Sequence, residues 1–143
     1  MMKKKVYIAG PLFNDHERDF LEAMAFCLEK DGFKCFLPHR DLKDVDESEL
    51  KTTSMTQETK DKIFVADLTA LRESDLTVAL ITGWDIDSGT SAEIGYTFAH
   101  GKPIIGIDAS ERRFRNLFVE GMITEKVENI SAIIPAIKRT FSE

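Results

Sequence analysis

Leu76-Thr77-Val78-Ala79-Leu80-Ile81-Thr82 leads directly into Gly83-Trp84-Asp85-Ile86-Asp87-Ser88-Gly89-Thr90-Ser91-Ala92-Glu93, after which Ile94 to His100 follow a helical pattern. The first run is apolar and partly β-branched, the composition of a buried strand. The second brings Asp85, Asp87 and Glu93 together with Gly83 and Gly89, residues suited to a loop and to polar chemistry. A strand that hands acids and glycines to the start of a helix is a βα unit. Open α/β sheets bind their ligands at such carboxyl ends of strands.

The same alternation extends in both directions. Upstream, Val6 to Ala9 predict a first strand that turns at Gly10-Pro11. Phe20, Met24, Cys27 and Leu28 stripe a helix stopped at Gly32, and Lys34 to Leu37 form a second strand closed by Pro38. Residues 39–56 are polar and weakly periodic, which predicts a long loop or irregular helical excursion over the ligand site. Gln57 to Arg72 form a helix with Phe64, Leu68 and Leu71 on its buried stripe. Downstream come a strand at Ile104 to Ile107 after Gly101-Lys102-Pro103, helical character over Arg112 to Gly121, a short strand over Ile123 to Val127, and a final helix striped by Ile130, Ile133, Ile134, Ile137 and Phe141. Alternating strands and helices imply right-handed crossovers. The expected fold is α/β: a doubly wound, flavodoxin- or Rossmann-like sheet of about five parallel strands with helices on both faces, formed by residues 1–143 as one domain.

Composition narrows the ligand. A net charge of −6 and a pI near 5.1 disfavour a nucleic-acid polymer, which is gripped by clustered Lys and Arg, and favour a neutral or cationic small molecule. The lysines at the N-terminus resemble a signal-peptide n-region, but the apolar run after them is broken by Gly10 and Pro11 and reads as a strand with its exit loop. No run is long enough to cross a bilayer. Cys27 and Cys35 have no metal or redox spacing, which fits reduced thiols in the cytoplasm.

His16, His39 and His100 are scattered without a zinc motif, Gly10-Pro11 is no dinucleotide fingerprint, and no phosphate-binding P-loop is present. Neither metal nor cofactor is expected. The acids carry the chemistry, and each has a structural alternative. Glu93 falls where the first turn of a helix is expected, so the helix dipole would favour its ionised form; Thr90-Ser91-Ala92-Glu93 also fits a capping box. Asp67 shares a stripe with Phe64, Leu68 and Leu71, which turns a carboxylate toward the sheet, where acids are costly unless paired or used. Asp87 and Ser88 fit turn residues, with Gly89 supplying positive φ. Trp84 suits stacking on a planar base or plain packing. Tyr7 is equally a strand aromatic, although neighbouring first and third strands would bring its hydroxyl to Glu93.

In the order and spacing of several segments the chain resembles the nucleoside 2-deoxyribosyltransferase family: Tyr7-Ile8-Ala9-Gly10-Pro11-Leu12-Phe13, Asp67-Leu68, Ser74-Asp75, Asp87-Ser88-Gly89-Thr90, Glu93-Ile94-Gly95-Tyr96, Gly101-Lys102-Pro103 and Arg115-Asn116-Leu117. The resemblance implies an enzyme that moves 2-deoxyribose between nucleobases with retention. It implies Glu93 as nucleophile on the anomeric carbon, Tyr7 orienting it, and Asp67 as the acid facing the base. Asp87 would hold the sugar at its 5′ side, with Ser88, Gly89 and Gly10 lining the substrate and Phe13 packing on the base. Asn116 would reach in from a neighbouring subunit, making the active unit a homodimer or larger oligomer with a shared site. Substrates would be 2′-deoxynucleosides and free nucleobases, with neither nucleic acid nor membrane as partner.

Three alternatives stay open. A 2′-deoxynucleoside 5′-monophosphate N-hydrolase shares the fold and a similar glutamate, with Ser88, Thr90 and Arg40 as candidates for its phosphate. Gly89-Thr90-x-x-Glu93 also resembles the G-T-x-x-E of nucleotide phosphoribohydrolases, although their Pro-Gly-Gly lead-in is replaced here by Asp87-Ser88. A non-catalytic nucleoside-binding module would need no nucleophile.

Overall fold

A computed structural model describes residues 4–42, 45, 54–108 and 115–142. Five parallel strands form one sheet: β1 (Lys5–Ala9), β2 (Lys34–Phe36), β3 (Leu76–Leu80), β4 (Ile104–Ile107) and β5 (Glu125–Val127). Their order is β2-β1-β3-β4-β5, so the chain reverses its direction of travel across the sheet between β1 and β3. That reversal opens the crevice in which such folds bind ligands.

Alternation along each strand sorts the core into two layers. Val6 and Ile8 of β1, Leu76, Val78 and Leu80 of β3, and Ile105 and Ile107 of β4 face one cluster, closed by α1 (Asp15–Lys30) and α6 (Ile133–Thr140). Tyr7 and Ala9, then Ala79 and Ile81, and Ile104 face the other, closed by α3 (Gln57–Glu73), α4 (Ser88–Ala99) and α5 (Leu117–Glu120). Strands buried on both faces explain why the third reads as a continuous apolar run.

Local chemistry sets the ends of these helices. Asn14 caps α1 by accepting from Glu17 N at 2.8 Å, and Thr56 caps α3 at Thr59 N. At the other end of α3, Lys102 Nζ donates to the carbonyls of Leu71 and Arg72 at 3.0 and 2.7 Å, placing a cation where the helix dipole is negative. The long loop or irregular helical excursion expected from His39 onward begins as a short helix, α2 (Pro38–Asp41), because Pro38 supplies a preset φ at its first turn. Residues 43, 44 and 46–53 of that expected excursion lie outside the described residues, as do Arg112 to Phe114 of the segment read as helical.

Two expectations about faces are corrected. Helix α4 starts at Ser88, so Glu93 is in its second turn and not its first. Phe64, expected in the buried stripe of α3, is 66% exposed; of that stripe Leu71 is buried, while Asp67 and Leu68 are half-buried. The stripe faces a cleft rather than a packed core.

Gly10 marks the close approach that lets the first loop leave the sheet. A Cβ there would stand 2.7 Å from Leu21 Cδ2 and 3.1 Å from Leu80 Cβ, and Leu21 is fully buried. Gly10→Ala is therefore expected to destabilise the fold by about 1–3 kcal/mol through overpacking, read as a lower urea midpoint with an unchanged slope.

Candidate active site

A cleft of about 610 Å³ opens at the carboxyl ends of β1 and β3. Its walls come from the loop after β1 (Gly10, Leu12, Phe13), the start of α2 (Pro38), one stripe of α3 (Phe64, Asp67, Leu68, Leu71) and α4 with its cap (Asp87, Ser88, Gly89, Ala92, Glu93, Tyr96). The volume is in the range of small-ligand sites, and the lining is mostly apolar with a few convergent acids.

Glu93 is placed by three layers of contacts. Helix α4 is pinned to the sheet by a buried hydrogen bond between Thr77 and Thr97 hydroxyls at 2.7 Å, and Thr97 Oγ1 also donates to the Glu93 carbonyl at 2.8 Å. With that rotation set, the Glu93 side chain lies over β1, where the Tyr7 hydroxyl donates to Glu93 Oε2 in a short hydrogen bond. Tyr7 itself is fully buried and stacks on Phe36, with ring centroids 5.6 Å apart. The neighbouring of β1 and β3, with Tyr7 paired to Thr77, is what brings these groups together.

The electrostatics differ from the sequence expectation. A first-turn Glu93 should be held ionised by the helix dipole. In its actual second-turn position, burial is the largest influence and raises its pKa to about 8; the hydrogen bond from Tyr7 opposes this, and the charges of Asp67 and Asp87 add to it. Burial likewise raises Asp67 to about 6, and Asp67 Oδ1 is buried with no hydrogen-bond partner among the described residues. Burial and the adjacent Glu93 push the Tyr7 hydroxyl far upward, so it stays protonated and acts as a donor.

Asp87, not Thr90, is the N-cap of α4. Its Oδ2 accepts from Thr90 N and from Thr90 Oγ1, both at 3.0 Å. The capping box read at Thr90 and Glu93 thus gives way to an Asp87 cap three residues earlier, which frees Glu93 from that structural duty. Ser88 and Gly89 form the first turn and line the cleft.

Phe13 is 77% exposed and also lines the cleft. Asn116 does not line it: it is exposed and caps α5, its Oδ1 accepting from Phe118 N and Val119 N at 3.0 and 3.1 Å. Arg40 is committed elsewhere, to both Glu29 carboxylate oxygens and to Asp41. Trp84 is exposed outside the cleft lining. Tyr96 was missed as a lining residue. It sits one helical turn beyond Glu93, and its hydroxyl accepts from Arg72 Nε at 3.3 Å; its i+3 spacing was the available signal.

Among the described residues no Lys or Arg lines the cleft, and no group of His, Cys, Asp and Glu is arranged to hold a metal ion. None of the described helices is long and apolar enough to cross a membrane. The arrangement can stabilise developing positive charge on a bound ligand, supply a carboxylate to an electrophilic carbon, and exchange a proton through a second acid.

A profile of the nucleoside 2-deoxyribosyltransferase family matches residues 6–133, and the chain belongs to that family. A search of curated proteins returned no match. Among solved structures, the fold is similar to that of a 2-deoxyribosyltransferase from Bacillus psychrosaccharolyticus, at 22% identity over 90% of this chain and 89% of that one, with a TM-score of 0.77. It is also similar to a conserved protein from Enterococcus faecalis, at 24% identity over 96% and 99% of the two chains, TM-score 0.73. A CMP N-glycosidase from Clostridium botulinum matches at 20% identity over 94% and 99%, TM-score 0.60. At these identities the likenesses establish the shared fold.

The raised pKa of Glu93 has a stability consequence with a definite sign. Between the ordinary value of 4.5 and about 8 the folded protein keeps a proton that the unfolded chain has released, so stability falls as pH rises through that window. Glu93→Gln removes this titration. Its melting temperature relative to wild type should therefore rise between about pH 5 and about pH 9, and a difference that stays flat with pH would contradict the assignment.

Proposed function

We propose that the protein transfers 2-deoxyribose between nucleobases, cleaving the N-glycosidic bond of free 2′-deoxynucleosides through a covalent intermediate on Glu93. The observation that carries this reading is the pairing of Glu93 with the Tyr7 hydroxyl in a cleft that also holds Asp67, whose Oδ1 has no hydrogen-bond partner among the described residues. The first step forms a bond from a Glu93 carboxylate oxygen to C1′ as the C1′–N bond breaks. The bonding pair leaves with the base nitrogen, which takes a proton from the Asp67 carboxyl. An incoming base nitrogen then attacks C1′, its proton returns to Asp67, and Glu93 departs as carboxylate. Two inversions give retention.

Each residue has a reason to be of its type. An anchored carboxylate opposes the positive charge that develops on the sugar. Tyr7, kept protonated, donates to the carboxylate and orients it. Asp67, raised to about 6, is protonated in a minor fraction at neutral pH that an ordinary aspartate would lack, and it draws on the proton shared with Glu93. Asp87 would accept from the sugar's 5′-hydroxyl while Oδ2 caps the helix. Phe13 would cover a face of the base.

The lining also bears on the phosphate alternative. Asp87 at the sugar end would repel a 5′-phosphate by roughly 4 kcal/mol per unit-charge pair at about 4 Å. Arg40 is held by Glu29 and Asp41, and the Thr90 hydroxyl by Asp87, so the groups expected to assemble a phosphate site do not converge. Free deoxynucleosides fit better. Deoxynucleosides should also outpace ribonucleosides, since an electron-withdrawing 2′-hydroxyl disfavours the oxocarbenium-like state.

The direct test incubates the protein with deoxyinosine or thymidine, with and without a second free base, and then with the corresponding 5′-monophosphates. Transfer from free nucleosides, lost by several orders of magnitude in a folded Glu93→Gln protein, is the expected result. Turnover confined to monophosphates would replace the transferase reading with the hydrolase.

The proton inventory predicts a particular pH profile. Glu93 and Asp67 titrate as a pair with raised values near 8 and 6; between those values the pair holds one proton, resting mainly on Glu93 in the free cleft, and the reactive form is the tautomer with that proton on Asp67. The pH dependence of kcat/KM should be bell-shaped with limbs near those values, and Asp67→Asn should leave a single limb that rises with pH at a lower rate. An unaltered bell in Asp67→Asn would remove Asp67 from the pair.

We further propose that Asn116 completes the site of a second copy. Leu117 and Phe118 beside it are 67% and 77% exposed, an apolar patch fit for a self-complementary interface. Mixing Asn116→Ala with Glu93→Gln, each inactive alone, should restore roughly a quarter of wild-type activity if random dimers share sites in this way. No recovery after mixing under exchange conditions would rule out the shared site.

A further inference from the structure

Arg115 is one of the few buried charged residues, and nothing in the reaction above uses it directly. Its side chain is fully buried. NH1 pairs with Asp108 at 2.9 Å, and Nε donates to the Gly83 carbonyl at 3.1 Å. Its backbone N–H donates to Glu120 Oε2 at 3.0 Å, and Glu120 Oε1 in turn accepts from Lys126 at 3.1 Å. Asp108 follows the last residue of β4, Gly83 lies just beyond β3, and Lys126 is in β5. The guanidinium therefore ties together the segments that follow β3 and β4, and the Arg115 backbone extends the network through Glu120 to Lys126 of β5.

Gly83 begins the segment that ends at Asp87. It has φ of +82°, a conformation that favours glycine and turns its carbonyl to Arg115. The segment is then held at Ile86, whose side chain is buried, and at Asp87, which caps α4. Burial of the Ile86 side chain is not directional, and the hydrogen bonds at this end, from Ile86 N–H to Asp85 Oδ1 at 2.8 Å and from Ser91 Oγ to the Ile86 carbonyl at 3.5 Å, leave the Gly83 end of the segment to be set by Arg115. A charge-assisted hydrogen bond from a planar, buried guanidinium fixes direction.

We propose that Arg115 is a positioning residue for sugar recognition, aligning the Gly83–Asp87 segment so that the Asp87 carboxylate meets the 5′-hydroxyl of the nucleoside. The inference rests on the reading that Asp87 binds that hydroxyl. Its consequence is selective: loosening Arg115 should erode recognition of the 5′ end more than the chemistry at C1′.

The test compares kcat/KM for a 2′-deoxynucleoside and its 2′,5′-dideoxy analogue, using whichever of deoxyinosine and thymidine the wild type cleaves. Wild type should prefer the hydroxylated substrate by at least about tenfold, and Asp87→Ala should bring the ratio close to one. Arg115→Lys keeps the positive charge beside Asp108 but lacks the fork that also reaches Gly83, and it too should collapse the ratio, mainly through KM. A second variant guards against a misfolded lysine protein: the pair Arg115→Met with Asp108→Leu removes both charges of the ion pair together and should collapse the ratio in the same way. If Asp87→Ala abolishes the preference while both Arg115 variants keep it, the positioning role is overturned, and equal slowing of both substrates by Arg115→Lys would overturn it as well. If wild type shows no preference, or Asp87→Ala preserves it, the assignment of Asp87 to the sugar falls and the inference falls with it.

Discussion

The hydrogen bond from Tyr7 to Glu93 is the joint on which the site depends. A tyrosine with no exposed surface needs an acceptor for its hydroxyl, and a carboxyl drawn out of water needs a donor. Each satisfies the other. Meeting that requirement constrains the fold closely: β1 must lie next to β3, and α4 must be rotated so that its second turn faces β1. The Thr77–Thr97 hydroxyl pair supplies the rotation, since it ties β3 to α4 one turn beyond Glu93. Removal of either partner leaves a buried polar group uncompensated, which links the integrity of this layer to the residue proposed as nucleophile.

Burial also accounts for the charge pattern. A cleft lined by acids, with no described cation among its lining residues, is poorly suited to an anion and well suited to a ligand that becomes positive as it reacts. Half-burial raises Glu93 and Asp67 by different amounts, so over the neutral range the pair tends to hold one proton between them. Burial resists ionising Glu93; in the proposed reaction a developing cation at C1′ would reverse that balance. The carboxylate would then be stabilised more by the transition state than by the free cleft, the condition for catalysis rather than mere binding.

Much of this was legible in the sequence because strands buried on both faces and glycine-punctuated turns leave strong patterns. Leu76 to Ile81, the Gly10-Pro11 exit and the Gly101-Lys102-Pro103 stop all mark real boundaries, and the strand order follows from the doubly wound class. Tyr7 beneath Glu93 followed from that order. Cap identity was less legible, because Asp87 and Thr90 are both good N-cap residues and choosing between them moves Glu93 by nearly a full turn. The dipole argument for an ionised Glu93 failed with that choice. Arg40 was out of reach for a different reason: its bidentate pair with Glu29 depends on how α2 sits against α1, which local sequence does not encode.

The misreading of α3 is the most informative of these. Phe64, Asp67, Leu68 and Leu71 recur with helical period and do share a face, but periodicity reports only that a face exists, not what covers it. Here Leu71 is buried in the core and forms only the floor of the cleft, while Leu68, the apolar surface of Phe64 and Asp67 form its wall. A packed core would tolerate Phe64 and reject Asp67; a solvated face would accept Asp67 and gain nothing from Phe64. A ligand with a flat apolar surface and polar edges satisfies both, and a nucleobase is such a ligand. The combination on one stripe of a carboxyl oxygen with no partner and an exposed aromatic ring, among the described residues, therefore fits the substrate of the proposed reaction better than it fits a packed core.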